Sequence, residues 1–528
     1  MSRHAIPGDG AYDQSRPAEV RERLGQVFTP EDLAGALARL IRVDRSGDVL
    51  DPAAGDGSLL RAVADARWDA WTEPAAADVL DTLVGWDIDP GAVELCRVTL
   101  VEWGLRHAGG RVPNALRVSV RDALDPIGPE DGVPRIWVSN PPYLEAKRMG
   151  RAQPGLRERL KSRFPDLVGA FDLYLAFALL ALEHAEVAGL IVPNKICQGR
   201  YARRFRERVA NEGRLAGLLD VARVRPRLFP GTSVYPVLLH LEASPTTRMA
   251  RCVARPEVAE PSFTVVASGA LAVGGESPWF VPFETWPALS PLFAGPRLGQ
   301  VAGLASTCSF HQRGLREQYV TPTRPDDGGA VPMLPYLGGP SRSRQTEVQP
   351  FEQRWAGWWI RYAQDELKQV HRNALPPLSR FLQPKAIFNQ HDRRMSAWAD
   401  MDGRFVTKDV YPIAWPTDAT WTLQSLVAVL NSTVFSALYN TVFQGIVVGG
   451  ETYHYLPAFL RIVPVPSVVR PDTLDPLVDA LQDRFDPDVW DALDREVATL
   501  YGVSEATRQQ CIAVHLRRVG APFPGRTP

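Results

Sequence analysis

Paired cysteines and long apolar runs are both missing from this sequence of 528 residues. The five cysteines, at positions 96, 197, 252, 308 and 511, include no Cys-x-x-Cys pair, so we expect neither a zinc site nor a disulfide framework. No apolar stretch is long enough to cross a membrane, and the N-terminal segment holds no apolar signal region. We therefore expect a cytoplasmic protein without a membrane partner and without a bound metal.

An excess of charge is also missing, because 59 basic residues balance 60 acidic ones to a net charge of −1. This balance neither indicates nor excludes a nucleic-acid binder, since local clustering matters more than the sum. Two stretches are strongly basic, 147–163 and 200–227. The phosphate-binding signature GxxxxGK[ST] does not occur, which disfavours a nucleoside triphosphate as ligand.

Residues 25–245 alternate short apolar runs with helical stretches, which predicts an α/β domain with a largely parallel sheet. Beyond residue 246 this alternation stops, and segments rich in proline and glycine follow. The length of the chain favours two or three domains. We expect an N-terminal tail (1–24), a catalytic domain (25–245), an inter-domain region (246–300), a mixed α+β domain (301–470) and a helical C-terminal segment (471–528).

Acidic residues follow three successive predicted strands. Asp51 ends the first strand, Asp87 ends the second, and Asp122 follows the third. Ligands bind at the carboxyl edge of such sheets, so we expect these side chains to converge on one crevice, with Asp87 on a ribose and Asp122 on an adenine amino group. Gly55 and Gly57 let the turn after Asp51 approach a ligand, although a purely structural turn is the alternative.

The segment Asn140-Pro141-Pro142-Tyr143 stands at the end of a fourth predicted strand. Two prolines stiffen the backbone and remove two amide donors, so their carbonyls only accept hydrogen bonds, and Asn140 adds a side-chain acceptor. Fixed acceptors suit an amino or amide nitrogen whose lone pair attacks a sulfonium methyl in line. Tyr143 offers a face on which a base can stack. The alternative is a proline-stiffened turn.

Seven segments carry a family resemblance: GQVFTP (25–30), DPAAGDG (51–57), GWDIDP (85–90), RDALDP (121–126), NPPY (140–143), LIVPNK (190–195) and LFPGTSVYPVLL (228–239). In this order they resemble the γ-class N6-adenine DNA methyltransferases of restriction–modification systems. The resemblance implies a Rossmann-like methyltransferase sheet, mostly parallel and of seven strands. It also implies S-adenosylmethionine as cofactor, and double-stranded DNA as the partner from which the target adenine is flipped.

The resemblance also implies roles for individual residues. The cofactor pocket would be lined by Thr29, Pro30, Asp51, Ala53, Gly55, Gly57, Asp87, Ile88, Asp122, Ala123 and Asn140. The flipped base would be bound by Asn140, Pro141, Pro142 and Tyr143, with Phe229 stacking on its other face. The family often has Glu where Asp87 stands, and we expect the shorter side chain to reach. A buried aromatic residue is the alternative for Phe229.

Basic residues near these motifs are candidates for DNA binding. Phosphate contacts would hold the distorted duplex, and we predict them for Lys147, Arg148, Arg203 and Arg204. The segments 384–416, 427–440 and 449–466 resemble the target-recognition region of the same enzymes, where Arg393, Arg394, His391 and Lys408 would face a groove. Ordinary solvated surface charges are the alternative for every one of these residues.

Three other functions remain open at this point. A protein-glutamine methyltransferase also needs acceptors for an amide, but such proteins lack a large domain after the catalytic half. A cytosine-N4 methyltransferase uses the same amino-group chemistry. A catalytically silent DNA-binding subunit has no need of both half-sites. We expect a monomer. We also expect no fused nuclease, because few residues precede GQVFTP. A separately encoded restriction endonuclease or defence partner is compatible with the sequence.

Overall fold

The computed structural model describes residues 29–107, 115–152, 154–220, 236–243, 249–253, 264–267, 278–280, 285–307, 318–324, 333–338, 348–366, 376–408, 410–443, 447–448 and 452–519. The chain divides into two compact units, residues 1–281 and 282–528. The finer boundaries expected from the sequence remain predictions.

The first unit is built on one mixed sheet. Its strands, in chain order, are β1 (Val49–Asp51), β2 (Leu83–Asp87), β3 (Arg117–Val120), β4 (Ile136–Ser139), β5 (Val187–Pro193), β6 (Leu215–Asp220), β7 (Pro236–Glu242), β8 (Met249–Val253) and β9 (Thr264–Ala267). They lie side by side in the order β3-β2-β1-β4-β5-β7-β6-β8-β9.

The predicted methyltransferase-like α/β fold is confirmed, and its mostly parallel sheet is mixed. Strands β3, β2, β1, β4 and β5 are mutually parallel, but β7 runs antiparallel to both β5 and β6. The sheet also has nine strands where seven were expected, because β8 and β9 extend it beyond β6. These two strands lie in the segment that the sequence analysis interprets as an inter-domain region.

Helices cover both faces of this sheet. They are α1 (Glu31–Ile41), α2 (Ser58–Ala70), α3 (Ala76–Asp81), α4 (Pro90–His107), α5 (Ala146–Ala152), α6 (Leu156–Arg163), α7 (Tyr174–His184), α8 (Lys195–Gln198) and α9 (Arg203–Asn211). In one apolar core, helices α1, α2, α3 and α4 pack against the sheet. In another, helices α6, α7 and α9 pack against it. Helix α7 is buried from Tyr174 through Leu182, as expected of a helix that is apolar all round.

The second unit combines small sheets with helices. Its strands are β10 (Ala302–Ala305), β11 (Val320–Thr321), β12 (Met333–Leu337), β13 (Val348–Gln349), β14 (Glu352–Gln353), β15 (Trp359–Arg361), β16 (Lys385–Phe388), β17 (His391–Asp392), β18 (Ala397–Asp400), β19 (Val406–Thr407), β20 (Ile413–Pro416), β21 (Val447–Val448) and β22 (Thr452–His454). Strands β10, β20, β16 and β18 form one antiparallel sheet.

Helices of the second unit gather toward its C-terminal end. They are α10 (Trp286–Leu289), α11 (Leu298–Val301), α12 (Leu378–Phe381), α13 (Leu423–Leu430), α14 (Thr433–Val442), α15 (Pro457–Leu460), α16 (Pro471–Asp483), α17 (Pro487–Leu500) and α18 (Glu505–Val519). Among the described residues no single helix combines the length and the apolar character that a membrane crossing requires. Helices α13 and α14 meet the criterion only as a pair bent by 58°.

Candidate active site at the carboxyl edge of the sheet

The acidic residues predicted for the cofactor pocket stand at the ends of neighbouring strands. Asp51 closes β1 and Asp87 closes β2, while Asp122 follows β3 by two residues. The three strands are adjacent and parallel, in the order β3-β2-β1. Their carboxyl ends therefore meet at one edge of the sheet, as the sequence predicts, and Asn140 joins them because β4 lies on the other side of β1.

The turn after β1 is held by two of these carboxylates. Asp51 Oδ1 accepts a hydrogen bond of 3.0 Å from the Ala53 amide, and Asp87 Oδ2 accepts one of 2.9 Å from the Gly55 amide. Asp87 Oδ1 also accepts the Asp89 amide at 2.9 Å. Both carboxylate oxygens of Asp87 therefore hold backbone amides of the loops that follow β1 and β2.

Glycine is required within this turn because of its backbone conformation. Gly55 and Gly57 have φ angles of +54° and +83°, in the left-handed region that other residues avoid. A Cβ at Gly57 would lie 3.0 Å from the Sγ of Cys96 and 3.1 Å from its Cα. The close packing of α2 against α4 therefore depends on glycine at this position.

Burial changes the protonation of the acidic pocket. Asp51 is buried, and this burial raises its pKa to about 8, with the negative charges of Asp87 and Asp56 adding to the effect and the Ala53 amide opposing it. Burial also raises the pKa of Asp56, which accepts hydrogen bonds from the Ser58 amide and hydroxyl. The pocket thus concentrates negative potential, and Asp51 holds a proton at neutral pH.

The third carboxylate is engaged from two sides. Asp122 Oδ1 accepts the Leu124 amide at 2.9 Å, while Oδ2 lies 3.3 Å from Nη2 of Arg159 on α6. Ala123 is buried beside it. Ile88, which follows β2, keeps 47 % of its surface exposed.

Asn140 is braced by a residue far away in the sequence. Its Nδ2 donates a 3.0 Å hydrogen bond to Thr29 Oγ1, 111 residues earlier in the chain. The next residue, Pro30, starts α1, because its carbonyl accepts the amides of Leu33 and Ala34 at 3.0 Å each. Thr29, predicted to line the cofactor pocket, and Asn140, predicted to bind the target base, are therefore in direct contact.

Tyr143 is held by the strand and the helix that follow it. Its hydroxyl donates to the Ile191 carbonyl of β5 at 3.1 Å, and its ring makes an edge contact with Tyr174, centroid to centroid 6.1 Å. Burial raises the pKa of the phenol. The Leu173 amide also donates to the Leu144 carbonyl at 2.9 Å, so the backbone after the two prolines is tied to the start of α7.

Three residues near this segment escaped the sequence analysis. Tyr174 and Tyr201 join hydroxyl to hydroxyl, which extends the contact that begins at Tyr143. Asp172 lies beside them, and its burial raises its pKa to about 6, while the positive charge of Lys195 acts in the opposite direction. In the sequence, Asp172 is an acidic residue that precedes a strongly apolar helix. No neighbouring residue indicates that it lies near Asn140-Pro141-Pro142-Tyr143.

Most arginines of the two basic stretches bind groups of the protein itself. Two of them are predicted DNA contacts: Arg203 Nε lies 2.7 Å from Glu207 Oε1, and Arg204 donates to the Pro165 carbonyl at 3.0 Å. Arg206 is fully buried and donates to the Ile196 carbonyl at 2.8 Å. Arg148, by contrast, is exposed, and its side chain forms no hydrogen bond or ion pair with the described residues. The side chain of Lys147 and the whole of Phe229 lie outside the described residues.

The candidate groove residues of the second unit are partly buried. Burial lowers the pKa of Arg394 to about 10, although Asp392 and Tyr455 favour its charged form. The Arg393 amide donates to Asp392 Oδ1 at 2.7 Å. His391 stacks on His454 across the β17–β22 pair, with ring centroids 4.2 Å apart. Lys408 is half-buried. Among the described residues no cluster of three or more metal-ligating side chains occurs.

Residues 136–225 match the family model described as the Eco57I restriction-modification methylase. The match is confined to this segment. It begins at β4, contains Asn140 to Tyr143, and extends past β6.

Two solved structures are similar in fold. The type IIL restriction-modification enzyme MmeI, solved in complex with DNA, is 12 % identical with a TM-score of 0.58, over 96 % of this chain and 80 % of its own. The ATP-dependent type ISP restriction-modification enzyme LlaBIII, bound to DNA, is 11 % identical with a TM-score of 0.53, over 89 % of this chain. The chain spans only 40 % of the length of LlaBIII. At such identities the similarity shows a shared fold.

Proposed function

We propose that the chain is a site-specific DNA methyltransferase that transfers a methyl group from S-adenosylmethionine to the N6 amino group of adenine. The observation that carries the proposal is the position of Asn140 beside the carboxylate-lined turn. β4, which leads into Asn140, pairs directly with β1, which ends in Asp51. Acceptors for an amino group and a pocket for a cationic cofactor therefore share one edge, as an in-line transfer requires.

The residues of the pocket fit S-adenosylmethionine. Asp87 stands at the end of β2, where an acidic residue accepts hydrogen bonds from ribose hydroxyls in nucleotide-binding sheets, and the exposed side chain of Ile88 suits the apolar surface of an adenine ring. The negative charges of Asp87 and Asp56 help to keep Asp51 protonated, and a cation in the pocket would favour its ionised form. When bound, this cofactor supplies an electrophilic methyl group on a positively charged sulfur.

The target amino group would be held by acceptors of the proline segment. The bond to Thr29 commits Asn140 Nδ2 as a donor, so the amide oxygen is the atom of this side chain that accepts from the base. The Pro141 carbonyl accepts the second amino hydrogen. Held in this way, the nitrogen would present its lone pair to the methyl group that a bound cofactor would supply, and its surplus proton would leave to solvent. Tyr143 stacks on the base and fixes its plane.

The larger assembly is part of the same proposal. The second unit would read the DNA sequence, the base would be flipped out of the duplex, and the enzyme would act as a cytoplasmic monomer beside a separately encoded endonuclease. The Eco57I restriction-modification methylase match supports this setting. His391 stacks on His454 and Arg394 is half-buried, so neither side chain is a fully solvated surface charge.

The test is transfer of labelled methyl groups to DNA, followed by identification of the product. Purified protein is incubated with tritiated S-adenosylmethionine and genomic DNA that lacks methylation. The DNA is then digested to nucleosides and analysed by mass spectrometry. We expect N6-methyladenine, and sequencing of the methylated sites would reveal a fixed recognition sequence. N4-methylcytosine, label on a protein glutamine, or no transfer at all would each contradict the proposal.

One variant and one control separate methyl transfer from cofactor binding. Asn140→Ala removes the side-chain acceptor and should abolish methyl transfer, while calorimetry should find the affinity for S-adenosylhomocysteine nearly unchanged. Arg354→Ala, which removes an exposed ion pair with Glu352 in the second unit, serves as a control for handling and should transfer methyl groups at the normal rate.

A further inference from the structure

Helix α6 is tied across the chain to the loop that follows β3. Arg159 and Arg163 are four residues apart, so their side chains leave the same face of the helix. Arg163 donates to the Leu124 carbonyl and, at 3.0 Å, to the Asp125 carbonyl. Arg159 reaches the Asp122 and Asp125 carboxylates of the same loop. The C-terminal half of the basic stretch 147–163 therefore contacts the loop after β3, at the edge of the sheet where the cofactor is expected to bind.

The contact of Arg159 falls on one particular oxygen of Asp122. The backbone amide of Leu124 occupies Oδ1 at 2.9 Å, whereas Arg159 Nη2 lies 3.3 Å from Oδ2. The other arm of the guanidinium, Nη1, lies 3.4 Å from Asp125 Oδ1. A planar guanidinium that bridges two carboxylates fixes the orientation of both, which a lysine cannot do.

Stability does not account for this bridge. Half of the Arg159 side chain is exposed, together with 57 % of the Asp125 side chain and 23 % of the Asp122 side chain, and ion pairs with an exposed partner contribute little to folding. Helix α6 is anchored independently, because Leu156 and Leu160 are buried in the core and Arg163 binds two backbone carbonyls. The bridge instead acts on Asp122.

We propose that Arg159 is a positioning residue for the adenine end of the cofactor. The inference rests on the proposed function, in which Asp122 accepts the adenine amino group. Arg159 holds Oδ2 in place, so that its second lone pair is directed to the exocyclic N–H without the cost of ordering a mobile side chain. A carboxylate fixed in this way selects a 6-amino purine and rejects a 6-oxo purine, whose oxygen would face the carboxylate.

The inference also connects the two half-sites. Helices α5 and α6 follow Tyr143 in the chain, and Arg159 lies on α6. The residue that orients Asp122 therefore belongs to the segment that directly follows the target-binding residues. A second variant on this helix provides a matched control: Arg157 is of the same residue type but donates to the Gly169 carbonyl at 2.8 Å, away from the loop after β3.

The test measures binding by calorimetry, with S-adenosylhomocysteine and S-inosylhomocysteine as the two probes. The wild-type protein should bind the adenosyl compound more tightly than the inosyl one. Arg159→Ala should weaken the adenosyl compound about tenfold, the size of one lost hydrogen-bonding contact, and change the inosyl compound much less. Arg159→Lys should recover only part of the loss, and Arg157→Ala should bind both compounds as the wild type does.

A double-mutant cycle with Asp122→Ala decides whether Arg159 acts through Asp122. If it does, the variant lacking both side chains binds the adenosyl compound no more weakly than Asp122→Ala alone. Independent losses that multiply, or an Arg159→Ala variant with wild-type affinity and selectivity, would overturn the inference and leave the proposed function standing. A wild-type protein that binds neither compound would overturn the proposed cofactor and this inference together.

Discussion

The Asn140 side chain donates a hydrogen bond to Thr29 Oγ1, across 111 residues of chain. The bond fixes which end of the Asn140 amide is the donor and leads directly into Pro30, where α1 begins. A residue that the sequence places outside the sheet thus determines how an acceptor at the end of β4 is presented.

Removing the Thr29 hydroxyl should therefore impair transfer more than binding. We expect Thr29→Val to lower kcat about tenfold, since one hydrogen bond that orients the Asn140 amide is lost, with a smaller change in the dissociation constant for S-adenosylhomocysteine. Thr29→Ser keeps the hydroxyl and should retain most of the activity. Equal activity of the valine and serine variants would show that the bond does not orient Asn140.

Cofactor binding should release a proton near neutral pH. Asp51 in the free protein has a pKa of about 8, and a cationic ligand in the pocket favours its ionised form. Affinity for S-adenosylmethionine should rise as the pH increases toward 8 and level off above it. Calorimetry in buffers of different ionisation enthalpy measures the released proton directly. Asp51→Asn should bind without release, and an identical proton count in this variant would refute the assignment.

The same group should affect the stability of the free protein in the opposite direction. Its pKa rises from 3.8 in the unfolded chain to about 8 in the folded one, so the folded state holds the proton more strongly. The stabilising contribution is complete below pH 4 and is lost as the pH rises through 8. Asp51→Asn should therefore be more stable than the wild type at pH 9, as measured by thermal unfolding.

Gly57 should tolerate no side chain, for two separable reasons. Gly57→Ala combines a left-handed backbone with a Cβ pressed against Cys96, and should cost about 2–4 kcal/mol in the free energy of unfolding by urea. Gly132→Ala has a similar backbone, φ +57°, but no atom within 4 Å of the added carbon, and should cost only about 1 kcal/mol. Equal losses would mean that the packing against α4 contributes nothing.

Two of the exposed basic residues predicted to bind phosphate should behave differently. The Arg148 side chain forms no hydrogen bond or ion pair with the described residues, whereas Arg204 donates to the Pro165 carbonyl. Arg148→Ala should weaken DNA binding and reduce the slope of log affinity against log salt by about 1, the value for one lost phosphate contact. Arg204→Ala should leave the slope unchanged. A larger effect at Arg204 would reverse the assignment.

Tyr143 should act through its ring more than through its hydroxyl. Tyr143→Phe loses one bond to the Ile191 carbonyl but keeps the ring and its contact with Tyr174, so activity should fall only a few-fold. Tyr143→Ala removes the stacking face, worth about 1–3 kcal/mol per base, and should lower kcat/KM for DNA correspondingly. Fluorescence of 2-aminopurine at the target position would report the stacked base.

The sequence predicts the carboxyl edge well because its signals are local. Asp51, Asp87 and Asn140 each follow an apolar run directly, and parallel strands bring such positions together without further information. Gly55 and Gly57 are likewise recognisable from the turn alone. Strands β8 and β9, which extend the sheet beyond the seven expected strands, were not predicted because they lie beyond residue 246, where the alternation of apolar runs and helical stretches stops.

Charge patterns predicted the basic stretches less well. Arg159, Arg206 and Arg208 look like solvated cations in the sequence, but they bind a carboxylate pair, two buried carbonyls and a cluster of acids respectively. The direction in which a long side chain leaves a helix depends on tertiary packing, and neighbouring letters do not encode it. Phe229 stays a prediction, because it lies outside the described residues.

The protonated Asp51 has an electrical consequence for the pocket as a whole. S-adenosylmethionine carries one net positive charge, and if one proton leaves as it enters, the exchange is electroneutral. The low-dielectric interior around β1 then experiences no net change in field, so ionic strength should have little influence on this equilibrium. The proton on Asp51 therefore neutralises one carboxylate of the pocket until the cationic cofactor binds.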